Sequence, residues 1–399
     1  MKILVVSFYY YPEVGAAPSR ITNLANGLKD LGVDVEVLTC MPNYPQGCIF
    51  DNYRGKLYQK EIIDGITIHR YWSYATISKH PLKRAISMLS YSFIIWLFSL
   101  KRKLIKSYDR VLIQSPPLPV AYSAILLFKK VFGKKCIINI SDLWPGSAVE
   151  LGAIREGSMI YHAFKYLEKK IYHEADGIMG QSNEILDHVQ LYIHSSSRLF
   201  LYRNLQKYQI SYVNRKRNGK LKLVYAGLLG VAQDIMGLIS QVPFKDLDVE
   251  FHVIGGGAQL DDIKQWCNNN TNSLVKIYGF VPKHEMHTLI KQFDASIVPL
   301  ATRIHGAVPS KIFDILPQGL PLLFCGDGEG AQFVKNHQVG WVCGPSDYKQ
   351  LINNIKELRD MENDGYESLS AHCIEVSKIH LDFDSQIKKL LDWLLDDIK

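Results

Sequence analysis

The stretch LKLVYAGLLGVAQDIMGLI, Leu221–Ile239, decides how the chain is organised. Leu221–Ala226 is apolar and β-rich, Gly227-Leu-Leu-Gly230 is a glycine loop, and Asp234–Ile239 begins a helix. The same order opens the chain. Ile3–Ser7 reads as a strand and YYYPEVGAAPSR, Tyr9–Arg20, as a loop; Ile21, Leu24, Ala25, Leu28 and Leu31 then recur at helical spacing until Gly32. Val33–Thr39 follows as a second strand, and a strand–helix–strand unit of this kind implies a parallel sheet. Further strands are predicted at Ile66–Tyr71, Arg110–Gln114, Lys135–Ile140, Gly177–Gly180, Val249–Ile254, Val275–Tyr278, Ala295–Val298 and Leu322–Phe324. Asn204–Gly219 is polar, basic and aperiodic, as a linker would be. The expectation is an α/β protein of two Rossmann-like domains, 1–203 and 204–380, facing across a cleft. A terminal amphipathic helix, 381–399, is expected to pack back on the first domain. Ligands of such sheets sit beyond the carboxyl ends of the strands.

With 399 residues the chain is too long for one core and fits two domains. Its 47% hydrophobic and 21% charged residues exclude disordered and fibrous classes. The net charge of +7 is uneven: residues 1–203 hold 25 Lys+Arg and 16 Asp+Glu, the remainder 21 and 23. The first half is therefore the one suited to an anionic partner. Seven scattered cysteines without C-x-x-C argue for reduced, mostly buried thiols and a cytoplasmic setting. MKILVVSFYY has too short an apolar run, and no small-residue cleavage site, for a signal peptide; it reads as a strand. The apolar run Ala85–Leu100 holds three serines before Trp96 and is shorter than a bilayer span requires.

The loops after strands carry the candidate chemistry. No G-x-G-x-x-G follows the first strand, which disfavours a dehydrogenase, and Gly255-Gly256-Gly257 reads as a turn. Asp246-Leu-Asp248 and Asp382-Phe-Asp384 are spaced to hold a divalent ion, but neither follows a strand; both read as surface acids, and no metal is expected. GAVPSKIFDILPQGLP, Gly306–Pro321, is richer. Pro309 and Ser310 open a helix with Ile312, Ile315 and Leu316 on one face, and Lys311 and Asp314 stand at i and i+3. The bland account is a surface ion pair, worth little. Yet Arg303, His305 and Gly306 precede it, and a helix N-terminus favours anions. Together they make a diphosphate site without metal, with Asp314, an acceptor-only carboxylate, to take the hydroxyls of a ribose.

Taken in order, Gly15, Y-x-G-x-x-G at Tyr225–Gly230, I-Y-G-F-V-P at Ile277–Pro282 and P-S-K-x-x-D-x-x-x-x-G-x-P at Pro309–Pro321 resemble the retaining nucleotide-sugar glycosyltransferases of family 4, with the GT-B fold. S-D-L-W-P at Ser141–Pro145 and the Tyr9–Arg20 loop resemble the branch of fucosaminyltransferases that serve O-antigen and capsule assembly. The resemblance implies a UDP-sugar donor and no further cofactor. It implies donor contacts from Gly15, Gly227, Gly230 and Glu329, and from Tyr278, Gly279 and Val281, whose backbone would read the uracil. His305, Gly306, Lys311 and Asp314 complete that set. Catalytic roles fall to Lys311, Arg303, Asp142 and Glu13, and an acceptor site to Glu13, Gly15, Arg20, Asp142 and Trp144. Two departures stand out. The family's first glutamate is replaced by Gly306, and its arginine and lysine after the second domain's first strand give way to positions around Leu228 and Gln233.

Lys79–Lys106 holds seven Lys/Arg and no acid around its apolar core, and Phe128–Lys135 is a second basic-apolar patch. Either these are solvated ends of a buried helix pair, or they form an interfacial segment on anionic lipid. Nucleic acid is not expected, since the aromatics are not interleaved with the basic residues. The implied acceptor is a polyprenyl-diphosphate-linked saccharide, and the implied location is the inner face of the cell membrane. A UDP-sugar 2-epimerase of the same fold, or a non-catalytic UDP-sugar-binding scaffold, remain alternatives.

Overall fold

The computed structural model describes residues 1–78, 80–193, 198–207, 217, 219–281 and 283–396. Lys79 of the basic run, Pro282 of the I-Y-G-F-V-P motif and most of the expected linker, 208–216 and 218, lie outside the described residues. The chain divides into two compact units. The first comprises Met1–Asn204, His305–Ala307 and Asp384–Lys399; the second comprises Leu205–Ile304 and Val308–Phe383.

The first unit is built on an eight-stranded sheet of β1 (Lys2–Val6), β2 (Asp34–Cys40), β3 (Tyr58–Ile63), β4 (Ile66–Tyr71), β5 (Arg110–Ser115), β6 (Lys135–Ile140), β7 (Gly177–Gly180) and β8 (Arg198–Leu201). Their order is β3-β4-β2-β1-β5-β6-β7-β8, parallel except where β3 pairs antiparallel with β4. β1 is central, between β2 and β5, and its apolar residues are buried, as a strand covered on both faces must be. Helix α1 (Ala16–Asp30) buries Ile21, Leu24, Ala25 and Leu28. It ends where expected: Gly32 takes φ +84°, and the N–H groups of Gly32 and Val33 return to the carbonyls of Lys29 and Leu28. Helix α2 (Pro81–Ile94) continues into a 3₁₀ turn, Ile95–Leu100, that drives Ile95 and Phe98 into the core beside Tyr91. The helix Phe383–Leu395 belongs to this unit. The Trp393 ring lies under Gly177, and Arg203 and Gln386 exchange hydrogen bonds of 2.9 and 3.0 Å.

The second unit carries a six-stranded, all-parallel sheet of β9 (Leu221–Ala226), β10 (Val249–Ile254), β11 (Val275–Gly279), β12 (Ala295–Pro299), β13 (Leu322–Cys325) and β14 (Gly340–Cys343), ordered β11-β10-β9-β12-β13-β14. It encloses its own core around Leu223, Tyr225, Phe251 and Ile297. Asp234 caps the helix Ile235–Gln241, accepting a bond from Gly237 N–H at 3.0 Å. All seven cysteines are free, five of them buried. Among the described residues no helix is long and apolar enough to cross a membrane.

Candidate active site

In the second unit the loops after β9 and β10 meet backbone to backbone. Gly227 N–H donates to Ile254 O at 2.8 Å, and Leu229 N–H to Gly256 O at 2.9 Å. A Cβ on Gly255 would stand 1.8 Å from Gly227 O, so the 255–257 triplet is a packing device for this crossing. Above the crossing lies Lys311. Its Nζ is 5.1 Å from the centre of the Tyr225 ring, and a Cβ on Gly227 would fall 2.3 Å from its Cε. Burial holds the Lys311 ammonium below its ordinary pKa of 10.5, and the charge of Asp314 opposes that shift. A half-buried cation facing an aromatic ring and glycine backbone is set up to receive an anion.

The rest of the expected diphosphate cluster is built differently. The helix runs only from Lys311 to Ile315, and Ser310 makes no side-chain cap. The N–H groups of Ile312, Phe313 and Asp314 already bond to the carbonyls of Pro309 and Ser310, so the expected helix-end anion site is largely satisfied from within. His305 and Gly306 belong to the first unit. Their N–H groups bond to the carboxylates of Glu150 and Glu184, each at 2.9 Å, and Ser182 Oγ donates to Gly306 O at 2.7 Å. Those N–H groups are taken up within the first unit, and the His305 imidazole, the group expected to contact the diphosphate, stands 3.5 Å from Glu184 Oε2 through Nδ1. Gly306 itself is buried at φ +80°, with Ile185 and Leu143 closing the space a side chain would need. Arg303 is exposed in the preceding loop.

Tyr278 is half exposed and tied by its hydroxyl to His252 Nδ1 at 2.9 Å; Gly279 O accepts from Gly255 N–H, and Val281 follows after the exposed Phe280. Gly230 opens the turn into the Asp234 cap through its carbonyl, bonded by Gln233 and Asp234. Glu329 is buried in the first turn of the helix Glu329–Asn336. Asp246 and Asp248 are exposed at the amino end of β10, where Asp248 pairs with Lys220 at 2.7 Å, the end opposite to the ligand-binding loops. Among the described residues no group of three or more His, Cys, Asp or Glu is placed to hold a metal ion.

The first unit carries a pocket of about 240 Å³ at the carboxyl ends of β1, β5 and β6, roofed by α2. Asp142 and Trp144 line it, as does Ser141, whose Oγ donates to Asp142 at 3.0 Å. Burial raises the Asp142 pKa, against the opposing hydroxyl of Ser141 and charge of Arg20. Arg20 is buried behind this wall. It donates to Gln181 Oε1 (2.8 Å), Asn139 Oδ1 (2.7 Å) and Tyr202 O (3.1 Å), and burial lowers its pKa to about 10. It supports the wall of the pocket and does not line it, so direct acceptor contact by Arg20 is corrected to a positioning role. Glu13 is also reassigned. Both of its oxygens accept backbone N–H groups, from Tyr10 (3.0 Å), Asn43 and Tyr44 (2.9 Å each), so it is a buried clasp between two loops and does not line the pocket. Gly15 packs against the Tyr44 ring at φ +151°. The pocket also contains Phe8 and Met88, which motif reasoning did not single out, with Tyr9 of the opening loop and Arg84 of the basic run. The spacing of Arg84, Ser87 and Met88 along α2 was the available signal.

Residues 207–378 match the family model described as glycosyl transferases group 1. Among curated relatives, the probable glycosyltransferase WbjE of Pseudomonas aeruginosa is 23% identical over 59% of this chain; the match spans 62% of that protein's length. The putative colanic acid biosynthesis glycosyl transferase WcaI of Escherichia coli K12 is 22% identical over 80% of this chain and 82% of its own. Among solved structures, the sucrose-phosphate synthase of Thermosynechococcus elongatus superposes with a TM-score of 0.72 at 13% identity, covering 98% of this chain and 97% of its own. Anabaena Alr3699/HepE in complex with UDP gives 0.69 at 12%, covering 99% of each. The match to the group 1 model falls in the second unit, and the chain has the GT-B fold of two Rossmann-like units.

Proposed function

We propose that the protein is a retaining glycosyltransferase of family 4 that moves a sugar from a UDP donor to a polyprenyl-diphosphate-linked saccharide during bacterial surface polysaccharide synthesis. The observation that carries this is Lys311, seated over Tyr225 and against Gly227 at the carboxyl end of β9 within the group 1 segment. Lys311, with Arg303 as a second cation, stabilises charge that grows on the departing diphosphate. Asp314 accepts the ribose hydroxyls. The bond from the sugar's anomeric carbon to UDP breaks, the acceptor oxygen bonds to that carbon on the same face, and the acceptor's proton passes to the leaving phosphate. The UDP bound to HepE and the colanic acid role in the name of WcaI support the donor and the pathway class. The donor sugar we favour, from the resemblance to the fucosaminyltransferase branch, is an N-acetylated hexosamine or deoxyhexosamine.

For the acceptor, α2 presents Leu82, Ile86, Leu89 and Phe93 outward, 62, 44, 45 and 74% exposed, with Lys83, Lys101, Arg102 and Lys103 beside them in the sequence and no acid in the run. An apolar stripe with cations is the composition of a helix that lies on anionic lipid. The test is UDP release from a panel of UDP-sugars with lipid-linked acceptors. Lys311→Ala should lower turnover by about 10²–10³ with little change in donor affinity, and excess chelator should leave the wild type active. Interconversion of the UDP-sugar without acceptor would identify an epimerase instead. UDP-sugar binding without any turnover would identify a scaffold, the outcome that the buried glycine at 306 would then explain.

A further inference from the structure

Among the described residues Arg84 is the one cation lining the first unit's pocket, and Asp142 the one carboxylate. The two stand on different elements, Arg84 on α2 and Asp142 after β6. Arg84, Ser87 and Met88 turn the inner face of α2 to the pocket, while Leu82, Ile86, Leu89 and Phe93 form the exposed stripe of the same helix. Among the described residues no carboxylate is paired with the Arg84 guanidinium; its backbone N–H bonds to His80 O, and its charge reaches the Tyr9 phenol. Three chemistries are therefore arranged on and beneath one helix. An apolar stripe lies outside, an unpaired guanidinium at the rim, and an aromatic and hydroxyl-accepting floor of Trp144 and Asp142 inside. That is the order of lipid, phosphate and sugar in a lipid-linked saccharide.

We infer that Arg84 is the residue by which this pocket selects acceptors whose sugar is joined to lipid through phosphate, an inference that rests on the acceptor class proposed above. Guanidinium meets phosphate oxygens with two parallel hydrogen bonds, which an ammonium cannot match. The volume of about 240 Å³ lies below the ~300–1,000 Å³ of sites that swallow whole ligands. The pocket thus takes the sugar next to the phosphate and leaves the lipid outside. Arg84 is a binding and specificity residue and performs no proton transfer.

The test is direct binding of farnesyl diphosphate to the full chain with UDP saturating, so that the donor site is filled. It is read by tryptophan fluorescence, with Trp144→Phe as the control for signal origin. Inorganic pyrophosphate and octyl glucoside are the probes for the charge and the sugar-like head alone. Wild type should bind farnesyl diphosphate at least tenfold more tightly than either probe. Arg84→Gln should weaken that binding by tenfold or more, Arg84→Lys by less, and both should melt at the wild-type temperature and bind UDP normally. Arg84→Gln should also still sediment with phosphatidylglycerol vesicles. Equal binding of farnesyl diphosphate by wild type and Arg84→Gln overturns the inference. Loss of vesicle binding in step with farnesyl diphosphate binding also overturns it, since Arg84 would then be a membrane contact. If Arg84→Gln unfolds, Arg84→Lys carries the same comparison. Arg84-dependent binding in a protein that transfers no sugar leaves this site standing and removes the proposed transferase activity alone.

Discussion

Replacing Gly227 by alanine puts a Cβ 2.3 Å from Lys311 Cε and 2.7 Å from its Nζ. Ordinary contact between such atoms begins near 3.4 Å, so the ammonium has to withdraw by about 1 Å. The obstacle is the far end of a flexible side chain, so the fold can yield there. The remaining cost is backbone strain at φ +153°, of order 1–3 kcal/mol, which lowers the melting temperature by roughly 2–4 °C per kcal/mol in a unit of this size. Misplacing a group that acts in the transition state by about 1 Å can cost about 10²-fold in rate. Gly227→Ala should therefore keep a folded protein that binds UDP and releases it from UDP-sugar about 100-fold more slowly. The double variant with Lys311→Ala makes the test specific. If Gly227 acts through Lys311, the double variant turns over no more slowly than Lys311→Ala alone, because the two losses are one loss. Additive losses in rate, or wild-type turnover in Gly227→Ala, would refute the reasoning.

Gly306→Glu, which restores the family's usual glutamate, should destabilise without raising activity. A side chain there meets Ile185 at 2.7 Å and Leu143 at 3.2 Å from a backbone at φ +80°, a cost of roughly 1–3 kcal/mol for overpacking; a faster enzyme of wild-type melting temperature would contradict this. Lys101→Gln/Arg102→Gln/Lys103→Gln should release the protein from anionic vesicles while UDP binding persists, and salt should weaken the wild-type interaction, since exposed charge is screened within roughly 8–10 Å. Vesicle binding that ignores salt and these charges would refute the interfacial reading.

Most of the strands that sequence reading located are those whose burial leaves a continuous apolar run; β11, an edge strand with no buried residue, is the exception. β1, β5, β6, β9 and β10 all lie in sheet interiors, so Leu-Val-Val or Cys-Ile-Ile-Asn-Ile is legible without any partner in view. β3, β8 and β14 were not located, and each is an edge strand. Tyr58–Ile63, YQKEII, alternates exposed and half-buried positions and buries no face completely, and Arg198–Leu201 is half-buried throughout. An edge strand is defined by its neighbour, which local pattern does not contain. The site divided along the same line. Lys311 stood out because its neighbours in sequence, Pro309, Ser310 and Asp314, set its local frame. The fate of His305 and Gly306 depends on Glu150 and Glu184, more than a hundred residues away, and no spacing rule reaches that far. Glu13 misled for a related reason. A glutamate in a proline-glycine loop reads as a catalytic acid until the N–H groups of Asn43 and Tyr44 are seen to occupy it.

Which groups remain to do chemistry follows from which are already satisfied. In the first unit most charges near the pocket have backbone or side-chain partners. Glu13 is held by three N–H groups, and Arg20 by two amide side chains and two carbonyl oxygens. Asp142, with one hydroxyl at 3.0 Å, and Arg84 are the acid and the base that line the cavity. In the second unit the loop after β9 offers no cation around Leu228, which is exposed, and Gln233. The position of the first family glutamate is a glycine whose N–H is bound to Glu184. Of the two cations proposed for the diphosphate, Arg303 is exposed, and Lys311 is the one set against the Tyr225 ring and the glycine backbone. Its ammonium has lost part of its hydration and gained only the Tyr225 ring and the field of Asp314. A cation so placed binds an anion more strongly than a solvated one, because less water has to be removed when the ligand arrives. Fewer cations therefore need not mean a weaker site, but they do make its rate depend on one side chain and on the glycine that gives it room.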